Sequence, residues 1–147
     1  MRDWVLNFYL SPLMKNSNSI KAVLPAILSE STYLQEKYGK ANYGSNEIKS
    51  LNFENHQWLR KDNNGAVINP YHQLPRIFDE LDRETIELLF EEEELADGGA
   101  AMCAFNLMQF FEMSEPEKNA IITALHKYCE LDTLAMVMLY EGLRSFT

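Results

Sequence analysis

The C-terminal third of the chain carries helix-forming patterns that restrict the possible folds more than any other feature. Residues 100–113 (AAMCAFNLMQFFEM) are almost entirely apolar, as in a helix buried on most sides. Ser114 then provides an N-cap, with Pro116 near the helix start and Glu117 at the capping-box position. A helix is predicted to begin there, and Asp132 is predicted to cap a separate last helix.

The rest of the chain also favours helices. Further helices are predicted near residues 19–29, 31–38, 72–81 and 83–96, with residues 51–61 as an additional candidate. Pro25 is expected to kink or limit its helix, Gly39 to end the next one, and Pro75 to lie in a first turn. The run at residues 66–68 is the only strand-like segment and is too short to start a sheet.

These patterns predict an all-α fold, a single compact domain over residues 1–147 with about six or seven helices and no substantial sheet. At 147 residues with 46% hydrophobic content, the chain can build one contiguous core. No segment approaches the roughly 18 consecutive apolar residues of a membrane span, and the N-terminus lacks a small-residue cleavage site. We therefore expect a cytoplasmic protein without a membrane partner.

The net charge is concentrated in one stretch, residues 79–97, called the acidic segment below. It holds ten acidic residues and one basic residue, Arg83. Its net charge is therefore −9, which equals the net charge of the whole chain. The twelve acidic and twelve basic residues elsewhere cancel. The imbalance therefore comes entirely from nineteen residues, which include the run LFEEEELAD at its C-terminal end.

Read as a helix, the acidic segment has a carboxylate stripe roughly 80° wide opposite Ile86, Leu89 and Phe90. The stripe consists of Glu80, Glu84, Glu87, Glu91 and Glu94. Such a stripe is either a solvated surface or a surface that attracts a basic partner through long-range electrostatic forces. On the second interpretation, the predicted partner-binding residues are Glu80, Asp82, Glu84, Glu87, Glu91, Glu92, Glu93, Glu94 and Asp97.

Motifs for other functions are missing from the sequence. No nucleophile elbow or glycine-rich phosphate loop occurs, and the only local zinc-ligand pair is His126 with Cys129. We therefore expect no enzyme activity, no metal and no cofactor. Direct nucleic-acid binding is disfavoured by the net charge, because the basic residues of the N-terminal half form no dense groove. They do interleave with aromatic residues, namely Tyr33, Tyr38, Tyr43 and Trp58.

The sequence thus favours a small acidic binding protein that inhibits a partner with a basic surface. The preferred interpretation is an immunity protein or antitoxin that neutralises a nuclease-type toxin, because a single compact ridge suits one basic cleft. One alternative is a phage-encoded inhibitor of a defence nuclease, of the DNA-mimic or anti-CRISPR type. An alternative of another class is a helical scaffold or assembly subunit. The partner and the oligomeric state are not specified by the sequence.

Overall fold

A computed structural model of the protein describes residues 9–15, 17–75, 99–110 and 112–146. This part of the chain contains four α-helices: α1 (Ile20–Glu30), α2 (Thr32–Tyr38), α3 (Gly99–Phe110) and α4 (Glu115–Ser145). Short 3₁₀ turns occur at Pro12–Met14 and Pro70–Gln73. The described residues include no strand or sheet, only three isolated bridges, so the helical fold class is confirmed. The predicted count of six or seven helices is not confirmed.

The first two helices begin and end where their sequence signals place them. Ser19 caps α1 through its hydroxyl, and Ser31 ends α1 and caps α2 by accepting the Leu34 N–H at 3.3 Å. Pro25 lies inside α1. The Gly39 N–H donates to the Gln35 carbonyl at 3.0 Å and ends α2.

The candidate helix at residues 51–61 is absent, and this prediction was wrong. The Ser50 hydroxyl accepts the backbone N–H groups of Asn52 (3.2 Å) and Phe53 (2.9 Å), which offers this stretch an alternative to helical hydrogen bonds. Asn55 has a left-handed φ of 46°, and His56 forms an antiparallel bridge to Tyr43. The segment is therefore an irregular loop tied to residues earlier in the chain.

The predicted helix at 72–81 is also incorrect within its described part. The chain forms the 3₁₀ turn Pro70–Gln73 instead, and Pro75 lies outside any helix. The turn is held at its start by the Asn69 side chain, which accepts the Tyr71 N–H at 3.1 Å. Residues 76–81, and the acidic helix predicted near 83–96, lie outside the described residues.

The C-terminal region is one helix of 31 residues and does not break at Asp132. Leu131, Leu134 and Ala135 surround Asp132 with good helix formers, and no proline or glycine interrupts the chain there. The Asp132 carboxylate accepts the Tyr71 hydroxyl at 2.6 Å, so it receives a hydrogen bond from residues far away in sequence. The prediction of a separate last helix capped by Asp132 was therefore wrong, whereas the predicted helix start at Ser114 is confirmed.

The chain divides into two compact units, the first comprising Met1–Gln73 with Glu130–Thr147 and the second Leu74–Cys129. The domain prediction, a single unit over residues 1–147, remains a prediction. In the first unit the buried core contains Trp58, Tyr38, Leu24, Ile27, Leu28, Leu34, Leu131 and Met138. A Cβ added at Gly142 would lie 2.7 Å from side-chain carbons of Ile27 and Leu34, so α4 approaches α1 and α2 closely there.

In the second unit, Ala104, Ile121 and Ala124 are buried. The Ser114 hydroxyl donates to the Glu117 carboxylate at 2.6 Å, and this carboxylate also accepts the Ser114 backbone N–H at 2.7 Å. This reciprocal capping box starts α4 as the sequence predicts. Among the helices the structure describes, none has the length and apolar character that crossing a membrane requires.

Candidate functional site

The predicted partner-binding residues lie outside the part of the chain that the structure describes. All nine belong to residues 76–98: Glu80, Asp82, Glu84, Glu87, Glu91, Glu92, Glu93, Glu94 and Asp97. Their role as a contact surface remains a prediction from charge and spacing. The described residues show where the other carboxylates of the chain are placed.

Among the residues that the structure describes, Glu130 on α4 is the carboxylate with the most hydrogen bonds. One oxygen accepts the hydroxyls of Ser50 (2.5 Å) and Tyr43 (2.7 Å), and the other accepts the backbone N–H (3.1 Å) and side-chain amide (2.6 Å) of Asn52. Four donors from residues 43–52 thus converge on one half-buried side chain. Glu130 therefore connects residues 43–52 to α4.

Three more tyrosines donate their hydroxyls to carboxylates distant in sequence. Tyr38 and Lys37 both bond Glu141, at 2.9 and 2.6 Å. The other two pairs are Tyr9 with Glu30, at 2.8 Å, and Tyr71 with Asp132, at 2.6 Å. Together with the Tyr43 bond to Glu130, these are called the tyrosine–carboxylate pairs below. Glu30 is exposed, whereas Glu130, Asp132 and Glu141 are partly buried, and for these three the donor offsets the cost of removing the anion from water.

An aromatic cluster lies beside the Glu130 site. Trp58 is fully buried and meets the rings of Tyr43, Phe53 and His56 edge-on, with centroids 5.7, 4.8 and 4.3 Å away. Such edge-to-face geometry is the preferred arrangement of packed aromatic rings. The cluster therefore forms part of the core of the first unit.

The four aromatic residues that interleave with basic residues in the sequence do not form an exposed stacking surface. Of the four that interleave with basic residues in the sequence, Tyr38, Tyr43 and Trp58 are buried, and Tyr33 is 45% exposed. Single-strand binders present several ring faces to successive bases. Three of these four rings therefore have no free face on which a base could stack.

The burial pattern also identifies what sequence reasoning missed. Glu130, Asp132 and Glu141 were not predicted to accept tyrosine hydroxyls, because their donors lie 61 to 103 residues away. A weak signal exists, since these carboxylates occur within an otherwise helical apolar pattern.

His126 and Cys129, the local zinc-ligand pair, are both exposed on α4. In the described part of the chain no group of three potential metal ligands occurs.

Acid should destabilise the first unit through Glu130. Partial burial raises the pKa of Glu130, but the hydrogen bonds from Ser50, Tyr43 and Asn52 outweigh it and hold the pKa below the ordinary value of 4.5. A carboxylate whose pKa is depressed by folding contributes stability above its unfolded pKa and loses it as the pH falls through the folded pKa. We expect this contribution to be complete well above the ordinary pKa of 4.5 and to be lost as the pH falls through the lowered pKa of the folded state.

Urea unfolding at a series of pH values from about 3 to 6 measures this effect. Glu130→Gln should flatten the acid side of the profile, because the glutamine does not titrate. Glu54→Gln, at an exposed position, is the matched control and should retain the wild-type slope. Equal slopes for wild type and Glu130→Gln would show that Glu130 does not link folding to pH.

Comparison with known proteins shows no relative from which a function could be transferred. No protein-family model matches the chain, and no curated protein or solved structure matches it either. The function proposed next therefore depends on the charge, burial and hydrogen bonds of the chain itself.

Proposed function

We propose that this chain is a non-enzymatic inhibitor that neutralises a nuclease-type toxin in the cytoplasm, as an immunity protein or antitoxin does. The acidic segment occupies the basic nucleic-acid cleft of the toxin. The observation that carries the proposal is that residues 79–97 hold a charge balance of −9, while the rest of the chain is neutral by count. A nuclease cleft must be basic to hold phosphates, so a concentrated anionic surface is complementary to it.

Four carboxylates of α1 and α4 accept hydrogen bonds within the fold. In α1, Glu30 accepts hydroxyl hydrogen bonds from Tyr9 (2.8 Å) and Ser11 (2.6 Å). In α4, Glu130, Asp132 and Glu141 accept tyrosine hydroxyls as described above. Carboxylates already bonded within the fold would have to give up donors to meet a partner. These four carboxylates are therefore less available to a partner than exposed, unbonded ones.

The concentration of charge also favours binding to a single basic cleft of the partner over imitation of DNA along an extended surface. A protein that imitates DNA must place anions along two phosphate strands spaced over a long surface, with one charge per roughly 1.7 Å of helix axis. Nineteen consecutive residues hold the whole excess here. A compact anionic segment of this kind can block one basic site on the partner.

Co-production with a candidate toxin tests the proposal. We expect cells producing the nuclease encoded directly upstream of this chain to stop growing, and growth and intact nucleic acid to return when the chain is co-produced. Purified chain should also abolish the nuclease activity at a one-to-one ratio. An upstream product that is not a nuclease, or a nuclease that stays active with excess chain, would contradict the immunity function. Inhibition only of a host defence nuclease would favour the phage-inhibitor alternative.

A further inference from the structure

The loop at residues 60–68 folds back on itself and has an exposed tip. Lys61 forms an antiparallel bridge to Val67, and the Asp62 N–H donates to the Ala66 carbonyl at 2.8 Å. Every residue from Lys61 to Ala66 is exposed to solvent. Residues 62–66, called the loop tip below, are therefore held by a few hydrogen bonds that water can replace.

The loop tip contains Asn64 followed by Gly65, and Asn64 is the only asparagine of the sequence that a glycine follows. Gly65 has a left-handed φ of 82°, and a Cβ added to it would meet nothing within 4 Å. Because glycine has no side chain, its backbone nitrogen is open to approach by a neighbouring group. Within the described part of the chain, no residue forms a hydrogen bond with the Asn64 side-chain amide. An unrestrained amide thus lies next to an unshielded nitrogen.

We propose that Asn64 is a site of spontaneous deamidation, with water as the co-reactant. The Gly65 nitrogen gives its proton to solvent and attacks Cγ of Asn64. The new N–Cγ bond closes a succinimide ring, the Cγ–Nδ2 bond breaks, and Nδ2 takes up a proton and leaves as ammonia. Water then adds to either carbonyl of the ring, and the C–N bond of that carbonyl breaks. The product is aspartate or isoaspartate at position 64, formed without oxidation or reduction.

The hydrogen bonds of the loop tip restrain this reaction. The Gly65 N–H donates to the Asp62 carbonyl at 3.0 Å, so this bond must break before the nitrogen attacks. The Asp62 carboxylate also accepts the N–H groups of Asn64 at 2.8 Å and Ala66 at 2.9 Å. Since all these groups are exposed, the local opening that frees the nitrogen costs little free energy. Asp62 therefore controls how often the reactive geometry is reached.

Asn63, the preceding residue, is also exposed but is not expected to react at a comparable rate. The nitrogen that would attack its side chain belongs to Asn64, which carries a side chain of its own. That nitrogen also donates to the Asp62 carboxylate, a hydrogen bond to a charged group. The reaction is therefore expected to be confined to Asn64 within the loop tip.

Deamidation should loosen the whole loop. Isoaspartate inserts a methylene group into the main chain, so the backbone no longer matches the bridge between Lys61 and Val67. Either product also adds a negative charge two residues from Asp62, in a chain whose net charge is already −9. The Ile68 N–H, which donates to the Arg60 carbonyl at 2.9 Å, should then exchange with deuterium faster than in the unmodified chain.

Ageing of the purified full chain tests the proposal. Peptide mapping by mass spectrometry should show an amide NH₂ replaced by OH at position 64, at a rate that rises from neutral to mildly alkaline pH. Enzymatic methylation of isoaspartate should label the same peptide. Asn64→Gln should lose the reaction, because glutamine would have to close a larger ring, whereas Asn63→Gln should react like wild type. A folded chain that stays intact at Asn64, while the chain in urea reacts there, would overturn the proposal.

Variants of Asp62 test the restraint. Asp62→Ala removes the acceptor of the Asn64 and Ala66 N–H groups and should accelerate the reaction at Asn64 by about fivefold or more. Asp62→Asn keeps a side-chain oxygen at this position and should react within about twofold of wild type. Circular dichroism should show the wild-type helix content for both variants. Equal rates for Asp62→Ala and wild type would overturn the role of Asp62 as the restraint.

Discussion

Replacing Trp58 by alanine is expected to lower the free energy of unfolding by about 3–5 kcal/mol. The side chain is fully buried, and its ring is packed against Tyr43, Phe53 and His56. Removing it loses the burial of the indole and leaves a cavity that the surrounding rings fill only in part. A loss of this size is a large fraction of the roughly 5–15 kcal/mol that stabilises a typical domain. Urea unfolding followed by circular dichroism measures it.

Two further variants define what Trp58 contributes. Leu51→Ala removes an apolar side chain that is 96% exposed, and should change stability by no more than about 0.5 kcal/mol. Trp58→Phe should cost less than Trp58→Ala, because the indole N–H is buried without a hydrogen-bond partner among the described residues and only ring volume is lost. If Trp58→Ala unfolds at the same urea concentration as wild type, the aromatic cluster is not part of the stabilising core.

Reversing Glu87 and Glu91 to lysine is expected to slow association with the proposed nuclease toxin about tenfold, with a smaller effect on dissociation. Both residues belong to the carboxylate stripe that the sequence pattern places opposite Ile86, Leu89 and Phe90. Exposed charges are screened over about 8 Å at physiological ionic strength, so added salt should also slow association of the wild-type chain. Stopped-flow binding at several salt concentrations gives both rates. Circular dichroism should show a preserved fold, because the reversal relieves like-charge repulsion.

The matched control reverses Glu36 and Glu54, two exposed acidic residues outside the acidic segment. This variant has the same change in net charge as the Glu87 and Glu91 variant. It should associate at nearly the wild-type rate if the location of the charge matters. Equal rates for both double variants would mean that only total charge is recognised. Unchanged association rates for both double variants would mean that the acidic segment is only a solvated surface and that the partner binds elsewhere on the chain.

Helices with complete local signals were predictable from the sequence. Ser19, Ser31 and Gly39 place the ends of α1 and α2, and the capping box of Ser114 and Glu117 places the start of α4. These signals work because each is satisfied by hydrogen bonds within a few residues.

The errors occurred where distant residues determine the local structure. Asp132 resembles an N-cap in sequence, but its carboxylate accepts a hydroxyl from Tyr71 and the helix continues. Residues 51–61 have an apolar pattern, but Ser50, Asn52 and Glu130 hold their start in a loop. The exposure of Met136, Val137 and Tyr140 on α4 is not evident from the sequence for a related reason. An apolar pattern alone does not state how many sides of a helix are covered.

The tyrosine–carboxylate pairs also set an order for folding during synthesis. Tyr38 and Tyr43 emerge from the ribosome early, but their acceptors, Glu141 and Glu130, are among the last residues to be made. The residues of the second unit, Leu74–Cys129, are synthesised in between. Domains usually fold from the N-terminus as they emerge. Here the first 73 residues complete their hydrogen bonds only after α4 has been released, so chains truncated before residue 130 lack acceptors for three of the four tyrosines.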